Sequence, residues 1–232
     1  MTYVISDIHG EYEKFLEMLE SIDFCDDDDM YIIGDCIDRG AAPIKLLEDI
    51  SERPNIFPIV GNHELMALDI LDRMMVEITE ENVDSHLDAA TLMALADWQR
   101  NGGDVTLKQF GALKKEKRFD LLDYLKDFAL YEIIDIQEKT FLLIHGGLGN
   151  YRKGKKLSEY TPMELCCMRP DYDFRYFDNE NVYIICGHTP TLALTGKAEI
   201  YHSANNILID CGAAFGGRLA CLRLEDMKEF YV

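Results

Sequence analysis

Five short motifs bring together carboxylate, imidazole and amide side chains. They are Asp7-Ile8-His9-Gly10, Gly34-Asp35-Cys36-Ile37-Asp38-Arg39-Gly40, Gly61-Asn62-His63-Glu64, His145-Gly146-Gly147 and Gly187-His188-Thr189-Pro190. The first three recur at nearly equal intervals: Asp7 and Asp35 are 28 positions apart, Asp35 and Asn62 are 27 apart. Hard oxygen ligands mixed with imidazoles suit a divalent transition metal. Each motif follows a short apolar run, so strand–loop units would carry all five to one point. A lone histidine at a strand end is commonly structural. Five such groups in equivalent places are hard to explain by packing.

Hydrophobic periodicity gives the elements that must position these groups. Residues 3–6, 30–33 and 56–60 read as strands. After the first, residues 11–22 place Phe15, Met18, Leu19 and Ile22 on one helical face. After the second, Pro43 suits the first turn of a helix carrying Ile44, Leu47 and Ile50. This alternation predicts parallel pairing. From 65 to about 128 the period is helical, with breaks expected at 82–84, at 101–103 and near Lys117. The pattern predicts a helical insertion after the third motif, with Leu65, Leu68, Leu71, Met74, Met75 and Ile78 in its core. Within it, His86 is expected to be solvated. Trp98 is read as insertion core, although Asn101-Gly102-Gly103 could turn toward a cleft. Strands return at 131–136, 141–144, 182–186, 199–202, 207–209 and 219–224. The polar, aromatic stretch 149–181 reads as a loop over the site. The predicted fold class is α/β: two packed mixed β-sheets, a β-sandwich, flanked by helices in one domain spanning residues 1–232.

Size and charge narrow the function classes. A chain of 232 residues favours one large domain. No apolar run approaches the roughly 18–20 residues needed to cross a bilayer. The first residues lack the basic and apolar segments of a secretory leader. Seven cysteines without a Cys-x-x-Cys pair read as reduced thiols of a cytoplasmic protein. The formal charge of −20 argues against non-specific binding to nucleic acid or an anionic membrane. Two divalent cations beside Asp7 and Asp35 would still leave a local charge of about +2, so an anionic substrate fits. The Asp26-Asp27-Asp28-Asp29 run reads as a solvated face, because it lacks the spaced ligands and glycine of a calcium loop.

The sequence resembles the calcineurin-like metallophosphoesterases and, within them, the bacterial branch of the phosphoprotein phosphatase family. The resemblance rests on the five motifs above and spans roughly residues 2–64, 141–149 and 182–224. Only the first motif departs: Ser6 stands where glycine is usual, and a small backbone effect is expected. The resemblance implies two divalent metal ions. Asp7 and His9 would bind one, Asp35 would bridge both, and Asn62, His145 and His188 would bind the second. Manganese is the expected metal, with iron and zinc compatible with the same donors. A hydroxide activated by both metals would be the nucleophile. His63 matches the family's proton donor and Asp38 the carboxylate that orients it. Arg39 matches a phosphate-binding arginine. A second such arginine is expected between the two later histidines. Arg169 is the choice, with Arg152 and Arg175 as rivals.

The expected activity is metal-dependent phosphomonoester hydrolysis, foremost on phosphoserine or phosphothreonine. The expected partner is a phosphorylated protein or a small phosphoester, with no nucleic acid and no membrane; oligomeric state is left open. A dinucleoside-polyphosphate hydrolase is the first rival, sharing fold and metals. Asp38 in its Asp-Arg-Gly context and the His145-Gly146-Gly147 form favour the phosphatase. A non-catalytic scaffold is the second rival, but scaffolds tend to lose ligands or the proton donor, and this chain keeps every one. His202 is expected to be structural, and Gly212, Gly216 and Gly217 to pack backbone near the metals.

Overall fold

The computed structural model describes residues 1–77, 79–81 and 88–232. Its first sheet is built from β1 (Thr2–Ile5), β2 (Asp29–Ile33), β3 (Ile56–Ile59), β9 (Ala220–Arg223) and β10 (Lys228–Tyr231), in the order β10-β9-β1-β2-β3. Strands β1, β2 and β3 are parallel, and β9 and β10 extend the sheet antiparallel. The second sheet orders β4 (Glu132–Ile136), β5 (Lys139–Leu143), β6 (Val182–Cys186), β8 (Asn206–Leu208) and β7 (Tyr201–Ser203). Its three central strands are parallel and its two edges antiparallel.

Alternation within each strand makes the sandwich. Val4, Ile33 and Ile59 of the first sheet meet Phe141, Leu143, Ile185 and Ile207 of the second in one fully buried layer. The opposite faces are covered by helices. Tyr3, Ile5 and Ile32 pack with Phe15, Met18 and Leu19 of α1 (Tyr12–Ser21) and Ile44, Leu47 and Ile50 of α2 (Pro43–Ser51). Strands covered on both faces read as continuous apolar runs, as these do.

The insertion begins with α3 (Asn62–Met74) and continues through α4 (Ala89–Trp98), α5 (Asp104–Ala112) and α6 (Lys115–Lys126). The expected break at 101–103 is a tight π-turn over Gln99–Gly103, with Gly102 at φ 99°. The break expected near Lys117 lies earlier, where Leu113 turns extended at ψ 155°. Leu71 is fully buried, and Leu65, Leu68, Met74 and Met75 pack half-buried against the same core. Ile78, His86 and the break at 82–84 fall outside the described residues. Strand β10 is unanticipated: a four-residue edge carrying Lys228 and Glu229 shows little apolar pattern. The acidic run is not wholly solvated, because Asp28 is buried and accepts from the N-terminal ammonium at 2.7 Å. No described helix is long and apolar enough to cross a membrane. All seven cysteines are unpaired.

Candidate active site

Register brings the motif loops into line. Ile5 pairs with Ile32 and Ile33 with Ile59, so β1, β2 and β3 release their chains at one edge. The first two loops then continue the ladder: His9 N donates to the Asp35 carbonyl and Gly10 N to that of Cys36, each at 2.8 Å. In the second sheet Leu143 pairs with Ile185, which sets His145 and His188 at the corresponding edge. His188 N donates to both Asp7 carboxylate oxygens, at 3.0 and 3.2 Å, and so joins the loops of the two sheets.

The loop residues hold an unusual backbone. Asp7, His9, Asp35, Asp38, Arg39 and His188 all have φ between 49° and 72°. This left-handed region costs non-glycine residues of order 1–3 kcal/mol each and persists only where surroundings enforce it. At Asp35 one enforcing group is Glu64, which is completely buried at the start of α3. Its carboxylate accepts from Asp35 N, Cys36 N, Ile37 N and Gly61 N at 2.8–3.3 Å, tying the second loop to the third.

Two groups of side chains that could hold a metal ion share Asp35. Donor atoms of His9, Asp35 and His63 lie within 4.8 Å of one another, and so do those of Asp35, His145 and His188. Asn62 Oδ1 joins the second, 2.7 Å from His188 Nδ1 and 3.1 Å from His145 Nε2. Ile37 O accepts from His9 Nδ1 and Ile33 O from His145 Nδ1, each at 2.8 Å, which aims both Nε2 atoms at Asp35. Asp7 falls outside both groups but lies beside them through His188. His188 Nε2 is buried without a hydrogen-bond partner. Carboxylate, imidazole and amide donors converging on one shared carboxylate fit a pair of divalent cations.

Burial and neighbouring charge shift the protein's own titrations. Burial and the nearby Asp210 and Asp35 charges raise Asp7 well above the carboxylate range. Burial disfavours charge on Asp35, but His145 and His63 outweigh it and hold Asp35 well below. Burial also opposes charge on His145, yet Asp35 and Asp7 push it up to about 10. Burial drives His9 and His188 down to about 3, helped by His63 and Arg39 for His9 and by His145 and Arg169 for His188.

Beside the cluster, Asp38 accepts from His63 Nδ1 at 2.6 Å, with both side chains buried. Arg39 reaches the Nε2 atoms of both His9 and His63, the latter at 2.9 Å, and stacks on Phe215 with 4.8 Å to the ring centroid. Arg169 lines the same cleft, together with Asp35, Asn62, His63 and His188. Of its rivals, Arg152 is exposed on another surface hollow and Arg175 faces Glu180. The stretch 149–181 meets the site through Leu165 O, which accepts from Gly146 N at 2.7 Å. His202 is half-exposed and pairs with Glu229 at 2.8 Å, apart from the cleft.

Several contributors were not anticipated. The Ser6 hydroxyl contacts the Asp7 carboxylate, which adds a side-chain effect to the backbone effect expected there. Asp210, buried and raised to about 6 by burial and the Asp35 charge, lines the cleft as a second carboxylate beside Asp35. The Gly212–Gly217 connection does more than pack: it holds Phe215, 56% exposed, at the cleft mouth. Trp98 is fully buried, as expected of insertion core, yet its indole donates to Asp38 at 2.7 Å. Only Asn101-Gly102-Gly103 hinted at this.

A family model described as calcineurin-like phosphoesterase matches residues 2–211. Over 268 aligned residues the chain is 24% identical to a symmetrical bis(5'-nucleosyl)-tetraphosphatase of Nitrosospira multiformis, covering 98% of this chain and 94% of that one. It is 26% identical over 232 residues to serine/threonine-protein phosphatase 2 of Escherichia coli, covering 96% and 92%. A crystal structure of a candidate diadenosine tetraphosphatase shares the fold with a TM-score of 0.68 at 14% identity, covering 100% of this chain and 92% of that one. The chain therefore belongs to the calcineurin-like phosphoesterase family, a family of dinuclear metal-dependent hydrolases.

Proposed function

We propose that this protein hydrolyses phosphomonoesters with poor leaving groups, foremost phosphoserine and phosphothreonine in proteins. The observation that carries the reading is the buried Asp38–His63 pair beside the ligand cluster, 2.6 Å apart. A serine or threonine alkoxide leaves slowly unless it is protonated as it departs. A nucleoside polyphosphate is a far better leaving group and needs this help less. A positioned imidazole contributes typically about 10²–10⁴-fold to such a step.

In this reading Asp7, His9 and Asp35 hold one cation, and Asp35, Asn62, His145 and His188 hold the other, with manganese favoured. When bound, the pair neutralises phosphoryl oxygens and supplies an acidified water for in-line attack. Arg39 and Arg169 fix the remaining oxygens, Arg39 with a planar fork suited to two of them. Asp38 accepts from His63 Nδ1, and Nε2, which Arg39 meets in the structure, would deliver its proton to the departing oxygen once Arg39 turns to the phosphoryl group. The cleft is about 200 Å³. That is less than the roughly 300–1,000 Å³ of sites that enclose a drug-sized ligand. It accommodates a phosphoryl group and the first atoms of its ester, leaving the rest of a protein substrate outside. The whole chain then acts as one catalytic unit, and its free thiols fit a cytoplasmic setting.

A second reading, hydrolysis of dinucleoside polyphosphates, is favoured by Phe215, an exposed aromatic ring on the cleft lip. The similarity to a bis(5'-nucleosyl)-tetraphosphatase agrees with it. The manganese-loaded protein assayed on phosphoserine peptides and diadenosine tetraphosphate distinguishes the two. The His63→Asn variant should retain its metals and slow most on the phosphopeptide; near-normal phosphoserine turnover contradicts the acid role. Failure to hydrolyse even p-nitrophenyl phosphate would favour a non-catalytic scaffold.

A further inference from the structure

Asp38 is completely buried, and its surroundings come largely from the helical insertion. Oδ2 accepts from His63 Nδ1 at 2.6 Å and from Trp98 Nε1 at 2.7 Å. Oδ1 accepts from the Thr106 hydroxyl at 2.6 Å. That hydroxyl accepts in turn from Asp38 N at 3.0 Å, so its one proton must point to Oδ1. One residue on, Arg39 N donates to Gly102 O at 3.0 Å. The segment from Trp98 to Thr106 thus grips both the side chain and the left-handed backbone of the Asp38-Arg39 step.

We infer that Trp98 and Thr106 are positioning residues for proton delivery, acting on His63 through Asp38. The inference rests on the reading of His63 as the acid. Rotation about a carboxylate's last torsion is soft, so one histidine contact alone would not hold its plane. Three donors shared between both oxygens do. An indole N–H can only donate, which makes Trp98 useful beside an acceptor and costly without one. The turn is shaped for this contact. A Cβ on Gly103 would lie 2.5 Å from Trp98 Nε1, and one on Gly102, at φ 99°, 2.7 Å from Arg39 Cγ. A tryptophan serving only as filler needs an acceptor for its N–H, but not one that also holds His63, nor a threonine on that carboxylate's other oxygen. The insertion is therefore part of the proton-delivery apparatus as well as a neighbour of the substrate path.

The test compares Trp98→Phe and the near-isosteric Thr106→Val on two esters, phenyl phosphate and 2,4-dinitrophenyl phosphate. Only the first has a leaving group that needs the acid. Loss of a hydrogen bond to a charged group should lower kcat on phenyl phosphate roughly 10–100-fold, with KM within about twofold. Turnover of the dinitrophenyl ester and metal content should stay near the parent values. Thr106→Ser should restore the rate. Trp98 is the only tryptophan. Its single indole N–H resonance, read in the zinc-loaded protein, should move upfield in Asp38→Asn. Equal losses on both esters, or an unmoved indole resonance, overturn the inference. If His63→Asn discriminates between the esters and the Trp98 and Thr106 variants do not, the inference fails alone. If His63→Asn does not discriminate, the acid reading fails and takes the inference with it.

Discussion

Glu64→Gln tests how the strained loops are held. The parent carboxylate serves four backbone N–H groups: Oε1 accepts from Cys36 and Ile37, Oε2 from Asp35 and Gly61. A glutamine keeps one acceptor oxygen and turns NH₂ toward two donors it cannot satisfy. An orphaned buried N–H costs about 1–3 kcal/mol, so two cost about 2–6 kcal/mol. Part of this is recovered. Burial and the Asp35 charge disfavour ionised Glu64, and a neutral amide escapes both. The net expectation is a loss of about 2–4 kcal/mol, a large share of the roughly 5–15 kcal/mol that holds a protein folded. Urea unfolding with chelator present should show a lower midpoint and an unchanged slope. Cation binding should weaken as well, because Asp35 hangs from the same loop. A variant within about 0.5 kcal/mol of the parent, binding cations as well, would refute the claim that Glu64 holds the loops.

Asp35→Asn removes the carboxylate shared by both ligand groups, so elemental analysis should find at most one cation per chain; two would contradict the bridging role. Cation affinity should rise with pH across the neutral range. His145 is raised from 6.5 to about 10 by Asp35 and Asp7 against burial, so at pH 7 the protein holds a proton there that a cation must displace, and the upward shift of Asp7 acts in the same direction. Calorimetry in buffers of different ionisation enthalpy should detect the released protons, and an affinity flat between pH 6 and 9 would count against this. Ser6→Ala deletes the hydroxyl on Asp7 and should weaken cation binding by about tenfold, typical of a lost ligand partner. An unchanged dissociation constant would mean that the contact does not orient Asp7.

Motif spacing and strand period were enough to expect Asp35, Asn62 and His145 at one point, where the structure brings them together, because each sits where a local strand–loop pattern ends; His63 was expected from the family resemblance. The same logic predicted two mixed sheets and the helices over residues 65–128. Strand β10 escaped because a short, charged edge strand gains its shape from pairing with β9 rather than from its own residues. Asp210 escaped because a lone carboxylate after a strand has no pattern; only the folded cleft makes it a neighbour of Asp7.

The amino-acid order thus determined which residue types stand at strand ends, since that depends on periodicity within a few positions. Which side chains complete one another was decided by tertiary structure alone. Trp98 and Thr106 meet Asp38 across 60 and 68 positions, and His188 meets Asp7 across 181. A hydrogen bond requires two groups within about 3 Å, and separations of that length along a chain acquire such proximity only when the sheets and the insertion pack together.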